Sequence, residues 1–184
     1  MKTIYILLTR SNTYISKLIQ LVTSDDYTHV SLAFDEELSE CFSFGRKNPY
    51  FALPAGLIQE NLTNCFFDYH KDTPCTLYEL KVSESVFMQA RREVQQMIIE
   101  KKQYRYNIIG LVCCKLSILY QREKYYFCSQ FVAEILEKSQ AVILPKPAEL
   151  IRPIDCISLI PGNCLFTGKI SELVASVNSQ VKAS

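Results

Sequence analysis

The stretch Tyr125–Leu136, YYFCSQFVAEIL, carries the clearest structural signal in the chain. Its Cys128 is followed at +3, +4, +7 and +8 by four apolar residues, Phe131, Val132, Ile135 and Leu136. This spacing is typical of an amphipathic helix that packs one face against the rest of the protein. We therefore expect a helix over Phe127–Ser139, with Cys128 in its first turn and the thiol on the packed face.

A cysteine at the start of a helix is well placed for chemistry. The N-terminal end of a helix carries about half a positive charge, which favours the thiolate over the thiol. The free N–H groups of the first turn can also stabilise an oxyanion. The alternative interpretation of Cys128 is a buried apolar side chain, which is the commonest role of a free cysteine.

The other seven cysteines form no recognisable pattern. They stand at positions 41, 65, 75, 113, 114, 156 and 164, without a Cys-x-x-Cys pair or a regular interval. Structural zinc sites and disulfide frameworks are both recognised by such spacing. We therefore expect no metal site and no disulfide bond, with all eight thiols reduced.

The stretch YTHVSLAF, residues 27–34, contains one of only two histidines. This run predicts a strand, and ECFSF at residues 40–44 predicts a second strand that pairs with it as a hairpin. His29 is then either a structural histidine or a base that serves Cys128, whereas His70 is expected in a polar loop. A histidine on a strand and a cysteine at a helix start provide the base and the nucleophile of thiol catalysis.

A catalytic histidine usually needs a third polar group that fixes its tautomer. A four-residue hairpin connection places Phe44 opposite His29, and a one-residue change of register brings Ser43 there instead. We favour Ser43 as the third member, with two carboxylates as substitutes, Glu40 and Glu60. A backbone carbonyl or a water molecule stays open as a further alternative.

Hydrophobic periodicity predicts a single α+β domain over residues 1–184. The expected strands are Thr3–Leu8, Thr28–Phe34, Glu40–Phe44, Gly56–Glu60, Cys75–Val82 and Leu165–Ile170. The expected helices are Ser11–Val22, Ser83–Lys102, Tyr106–Tyr120 and Phe127–Ser139.

The composition fits one folded domain and excludes several function classes. The 184 residues are 48% hydrophobic and 21% charged, and the formal net charge is +1. A nucleic-acid-binding protein usually has a clustered basic excess, so nucleic acid is not an expected partner. The longest apolar stretch, Ile108–Leu119, is interrupted by Lys115 and is shorter than the about 20 residues that span a membrane. Because MKTIYILLTR is followed by no signal-peptide cleavage site, we expect a cytoplasmic protein without a transmembrane segment.

The histidine strand and the cysteine helix together resemble one enzyme family. YTHVSLAFD, the following SFGRKNP, YFCSQFVAEIL and the proline-rich segment near Pro153 are similar to the circularly permuted branch of the NlpC-type papain-like cysteine peptidases. That branch includes the YiiX-like proteins and the lecithin:retinol acyltransferase-like enzymes. Ordinary papain-like enzymes have the cysteine first, whereas His29 precedes Cys128 by 99 residues. The resemblance spans Thr3–Gly168.

The resemblance implies a papain-like core, in which the helix of the nucleophile packs against an antiparallel sheet that carries the base. Cys128 takes the position of the nucleophile and His29 that of the general base. The third family position, on the strand after the histidine, is typically His or Glu. This chain offers Ser43 or Phe42 there, with Glu40 slightly displaced.

The expected function is that of a cysteine hydrolase of the peptidase or amidase class, which cleaves an amide or ester bond through an acyl-enzyme at Cys128. Peptide, amide and lipid-ester substrates all stay open, as does the oligomeric state. An acyltransferase would use the same first half-reaction. A non-catalytic ligand-binding module on the same scaffold is the alternative from a different class. No cofactor is expected for any of them.

Overall fold

The computed structural model describes residues 1–10, 26–46, 54–60, 71–160 and 163–181. The strands within these ranges are β1 (Lys2–Thr9), β2 (His29–Ala33), β3 (Cys41–Arg46), β4 (Ala55–Glu60), β5 (Pro74–Val82), β6 (Arg105–Tyr106), β7 (Tyr125–Tyr126) and β8 (Cys164–Lys169). The helices within them are α1 (Glu84–Ile99), α2 (Ile108–Lys115), α3 (Cys128–Lys138), α4 (Asp155–Leu159) and α5 (Ile170–Val181).

Six of these strands form one antiparallel sheet in the order β4-β3-β2-β1-β5-β8. The alternation of side chains along β1 explains why both faces of the sheet are covered. Ile4, Ile6 and Leu8 are buried in a core that includes residues of α1 and α3, whereas Leu7 packs with Leu173 of α5 on the other face. The chain is therefore an α+β protein, as the periodicity predicts.

The central helix, α3, is buried along most of its length. Eight of its eleven residues are buried, because it packs on β2, β3 and α1. Phe131 meets Phe44 of β3 with ring centroids 5.4 Å apart, and the Ser129 hydroxyl donates a 2.7 Å hydrogen bond to the Ile151 carbonyl. These contacts fix the start of α3 against the sheet.

The register of the β2–β3 hairpin differs by one residue from the expected one. Leu32 pairs with Phe42, and extension of this register aligns His29 with Gly45 rather than with Phe44 or Ser43. The cause is the Asp35 carboxylate, which accepts hydrogen bonds from the Ser39 and Glu40 N–H groups at 2.8 and 2.7 Å. This side chain holds a connection one residue longer than the expected four.

The described helices differ from the expected ones both in where they end and in number. The second ends at Lys115 instead of Tyr120, because Ser117 adopts a left-handed conformation (φ 56°) that stops the helix. Helices α4 and α5 were not expected at all. The expected helix Ser11–Val22 lies outside the described residues. None of the helices described is long and apolar enough to cross a membrane.

Candidate active site

Three side chains from distant parts of the sequence meet at one site. Cys128 is the first residue of α3, His29 is the first residue of β2, and Glu60 is the last residue of β4. Glu60 reaches His29 across β3, since β4 lies beside β3 and β3 beside β2. The site therefore depends on the sheet order rather than on closeness in sequence.

The strongest contact of the site joins His29 to Glu60. His29 Nε2 lies 2.6 Å from Glu60 Oε1, which is the distance of a short charge-assisted hydrogen bond. The other carboxylate oxygen, Oε2, accepts a hydrogen bond of 2.5 Å from the Ser31 hydroxyl. Ser31 Oγ is also 3.4 Å from His29 Nε2. Each carboxylate oxygen of Glu60 thus has a hydrogen-bond partner, and one of these partners is the imidazole of His29.

The other neighbour of the imidazole is Cys128, whose side chain lies close enough to His29 to raise the pKa of the ring. Because Glu60 occupies Nε2, Nδ1 is the ring nitrogen that is left to exchange a proton with the sulfur. Along β2, His29 shares a face with Ser31, whereas Val30 and Leu32 on the other face are buried in the core with α3. His29 and Cys128 therefore approach each other from the first residue of β2 and the first residue of α3.

A glycine leaves room beside the imidazole. A Cβ atom at Gly45 would lie 3.7 Å from His29 Cε1 and 2.9 Å from Cδ1 of Ile58. A larger side chain at this position would press on the ring. The register that aligns Gly45 with His29 therefore has a direct consequence for the geometry of the site.

The surroundings of His29 favour its protonated form. Burial alone lowers the pKa of His29, and this is the largest single effect. The negative charge of Glu60 and the hydrogen bonds with Cys128 and Glu60 together outweigh burial and raise the pKa to about 10. At neutral pH the ring is thus an imidazolium, which stabilises a thiolate next to it.

Two further side chains lie close enough to Cys128 to feel its charge. Burial raises the pKa of Tyr106 well above its usual value, and the charge of Cys128 raises it further. Burial and the charge of Cys128 likewise raise the pKa of Cys156. Tyr106 is held there because β6 pairs with β7, the strand that leads into Cys128. Tyr106 therefore lies in the neighbourhood of Cys128.

The first turn of α3 is not capped by a side chain. Phe127 occupies the N-cap position and provides no acceptor for the N–H groups that follow. Orphan N–H groups at a helix start are donors for an anion. An oxyanion formed on a carbonyl attacked by Cys128 would lie at this end of the helix.

The structure brings some of the sequence-predicted residues to this site and places others elsewhere. Cys128, His29 and Glu60 meet there. The favoured third member, Ser43, instead donates its hydroxyl hydrogen bond to the Val30 carbonyl at 2.7 Å. Glu40 forms a half-exposed ion pair with Arg91. The physical reason is the hairpin register, which aligns Ser43 with Ser31, whereas alignment of Ser43 with His29 would need a register two residues away.

Two residues of the site were missed by the sequence analysis. Ser31 stands two residues after His29, and the two-residue period of a strand places both on one face. That signal could have identified it. Tyr106 had no such signal, because the parallel pairing of β6 with β7 joins segments 19 residues apart.

The described cysteines are all free thiols, and nothing in this part of the chain suggests a metal centre. The seven cysteines at positions 41, 75, 113, 114, 128, 156 and 164 form no disulfide bond, whereas Cys65 lies outside the described residues. Among the residues described, no group of three or more His, Cys, Asp or Glu side chains could hold a metal ion. No protein-family model, curated protein or solved structure matches this chain.

Proposed function

We propose that this protein is a cysteine hydrolase that cleaves an amide or ester bond through an acyl-enzyme at Cys128. The observation that supports the proposal best is the chain of contacts from Cys128 to His29 to Glu60. A nucleophile, a base and a group that orients the base form the arrangement that covalent catalysis requires. Glu60 is the group that orients the base in this arrangement.

The first half-reaction begins from the imidazolium–thiolate pair. The Cys128 thiolate attacks the carbonyl carbon of the substrate, a C–S bond forms, and the carbonyl oxygen takes the negative charge. The uncapped N–H groups of the first turn of α3 stabilise that oxyanion. The tetrahedral intermediate collapses when the bond to the leaving amine or alcohol breaks, and the leaving group takes the proton of His29.

The second half-reaction uses His29 as a base. A water molecule gives a proton to the now neutral imidazole while its oxygen attacks the thioester carbon. The C–S bond then breaks, which releases the carboxylic acid and restores the Cys128 thiolate next to the imidazolium. Throughout both steps the Glu60 carboxylate holds Nε2–H of His29 and compensates the positive charge of the ring.

The architecture supports a papain-like arrangement for this chemistry. The nucleophile stands at the start of α3, which packs on β2 and β3 of an antiparallel sheet, and β2 carries the base. We propose that the fold is a permuted papain-like fold, with the histidine strand before the cysteine helix. The substrate class stays open among peptide, amide and lipid-ester compounds.

The test is a screen of small ester, amide and peptide substrates, with mass spectrometry of the intact protein during turnover. The wild type should form a covalent acyl adduct that maps to Cys128 and decays with product release. Cys128→Ala should form none. Cys164→Ser is the matched control, because Cys164 is an exposed thiol remote in sequence from the site elements. An adduct that persists in Cys128→Ala, or turnover that survives in it, would refute the proposal.

A further inference from the structure

A cluster of exposed apolar side chains covers α2 and the turn that follows it. Eleven large hydrophobic residues are exposed in the described part of the chain, and six of them fall within residues 108–119. Their exposed fractions range from 43% to 60%. We call these six the apolar knob: Ile108, Ile109, Val112, Leu116, Ile118 and Leu119. Contiguous exposed apolar surface of this kind marks an interaction site.

The apolar knob is a built structure and not a loose loop. The Ile118 N–H donates a 2.9 Å hydrogen bond to the Cys113 carbonyl, with Ser117 in a left-handed conformation, as in a Schellman cap. This bond, together with the 3.2 Å bond from the Leu116 N–H to the Val112 carbonyl, holds Leu116 and Ile118 in place although their side chains are exposed. A sequence under no constraint would place polar residues at such positions.

The two ends of the segment that carries the knob lie side by side. The Arg105 N–H donates to the Lys124 carbonyl at 2.9 Å, and the Asn107 N–H donates to the Tyr126 carbonyl at 2.9 Å. The segment therefore leaves the body of the protein and returns to it at one place, the β6–β7 pair. The apolar residues lie between these two ends.

Positive charge is concentrated around the base of this segment. Residues 100–124 contain six Lys or Arg and two Glu, in a chain whose formal net charge is only +1. Five of the basic residues lie on the two sides of the knob in the sequence, Lys101, Lys102, Arg105, Arg122 and Lys124, and Lys115 lies within it. The β6–β7 pairing brings the two sides together.

From the apolar knob and its basic surroundings we infer that this segment docks on the surface of an anionic lipid bilayer. Apolar side chains above a basic collar fit the acyl boundary and the anionic headgroups respectively. A second copy of this chain fits less well, because a symmetric dimer would bring two basic collars together. This inference does not depend on the proposed catalytic function.

The docking surface is joined directly to the candidate active site. The buried side of α2 contributes Leu111 and Cys114, which pack on Phe127. Phe127 immediately precedes Cys128. A bilayer bound at the apolar knob would therefore contact the outer side of α2, whose inner side packs on the residue before Cys128.

The absence of tryptophan from the sequence makes a direct test possible. Leu119→Trp introduces a single fluorescent reporter into the apolar knob. Its emission should shift to the blue with vesicles of phosphatidylglycerol and phosphatidylcholine, and brominated lipid should quench it. Ile143→Trp, at a position 95% exposed and outside the knob, is the matched control and should show neither effect.

Vesicle flotation of variants distinguishes the contribution of charge to membrane binding from that of the apolar side chains. Ile109→Asp with Leu116→Asp should lower the partition coefficient by about tenfold or more, because two apolar side chains are lost from the bilayer. Ile143→Asp should leave it unchanged. Lys101→Ala with Lys102→Ala, or high salt, should weaken binding to the anionic vesicles.

Three results would overturn the inference. The first is an unshifted Leu119→Trp emission with anionic vesicles. The second is a blue shift without lipid that grows with protein concentration, which would assign the knob to self-association. The third is equal binding to pure phosphatidylcholine, which would contradict an anionic surface as the partner.

Discussion

His29 Nε2 and Glu60 Oε1 lie 2.6 Å apart, although the two residues belong to strands that are separated by β3. This contact decides how the imidazole can act. With Nε2–H held by the carboxylate, Nδ1 is the ring nitrogen left free for Cys128, and the ring cannot rotate without loss of a charge-assisted hydrogen bond. The protonation state and the orientation of the base thus both depend on Glu60.

Glu60→Gln should lower kcat/KM by about 100-fold or more, because the amide neither carries a charge nor selects the required tautomer. The measurement is steady-state turnover of a substrate found in the screen, together with the thermal stability of each variant. Glu40→Gln is the matched control. Since Glu40 pairs with Arg91 at a half-exposed position, its replacement should leave turnover close to the wild-type value. Equal effects of the two variants would contradict the assignment of Glu60.

The pH dependence of stability should show the His29–Glu60 pair directly. The pKa of His29 is raised from 6.5 to about 10 in the folded protein, so the protonated ring stabilises the fold fully below about pH 6.5. That contribution is lost as the pH rises through about 10. The slope attributable to this one proton is at most about 1.4 kcal/mol per pH unit.

The measurement is denaturant unfolding between pH 6 and 10 for the wild type and for His29→Gln. The difference between the two curves should shrink as the pH rises, and titration of the histidine ring signals by NMR should give the raised pKa of His29. With only two histidines in the chain the signals are readily assigned. A pKa of His29 near 6.5 would show that Glu60 does not hold the ring.

The room beside the imidazole predicts a graded effect of side-chain size at Gly45. Gly45→Ala should be tolerated, because its Cβ would meet His29 Cε1 at an ordinary 3.7 Å and would displace only the terminal methyl of Ile58. Gly45→Val should push the ring away from Cys128 and lower kcat by about 100-fold, since a displacement of about 1 Å can have that effect. Turnover and circular dichroism of both variants test this. A fully active, folded Gly45→Val would contradict it.

How far the sequence predicts this molecule depends on whether the interactions are local. The strands and α3 follow from side-chain periodicity, so β1, β2 and the cysteine helix were predicted within one or two residues of their ends. The hairpin register was not, because it depends on one side chain, Asp35, that lengthens the turn. Ser43, the favoured partner of His29, would have needed a register two residues from the observed one.

Features that depend on contacts between distant parts of the chain had weak signals in the sequence or none. Glu60 was named only as a substitute, because its approach to His29 requires the position of β4 in the sheet. Helix α5 did carry an apolar period, at Ile170, Leu173, Val174 and Val177, but the final strand was expected to extend through Ile170. Had the last strand been predicted to end at Lys169, as it does, the apolar period from Ile170 onward would have predicted a helix.

The reactivity of the thiols gives the most direct test of the ion pair. Burial raises the pKa of Cys75 to about 12 and that of Cys114 to about 11, and it raises the pKa of Cys41 well above its usual value. These three should be unreactive towards iodoacetamide at pH 6. Cys128 should alkylate fastest, because the positive charge of the His29 imidazolium and the start of α3 both lie next to its sulfur.

Peptide mapping after brief labelling at pH 6 ranks the sites, and the experiment is repeated in His29→Ala. Cys164 is the stringent comparison, because it is exposed while Cys128 is almost fully buried. Accessibility alone would therefore favour Cys164, and only the ion pair would favour Cys128. If Cys164 labels faster than Cys128, or if the loss of the imidazole leaves the rate at Cys128 unchanged, then the imidazolium–thiolate pair does not exist. A ligand-binding module would then account better for the fold than a hydrolase.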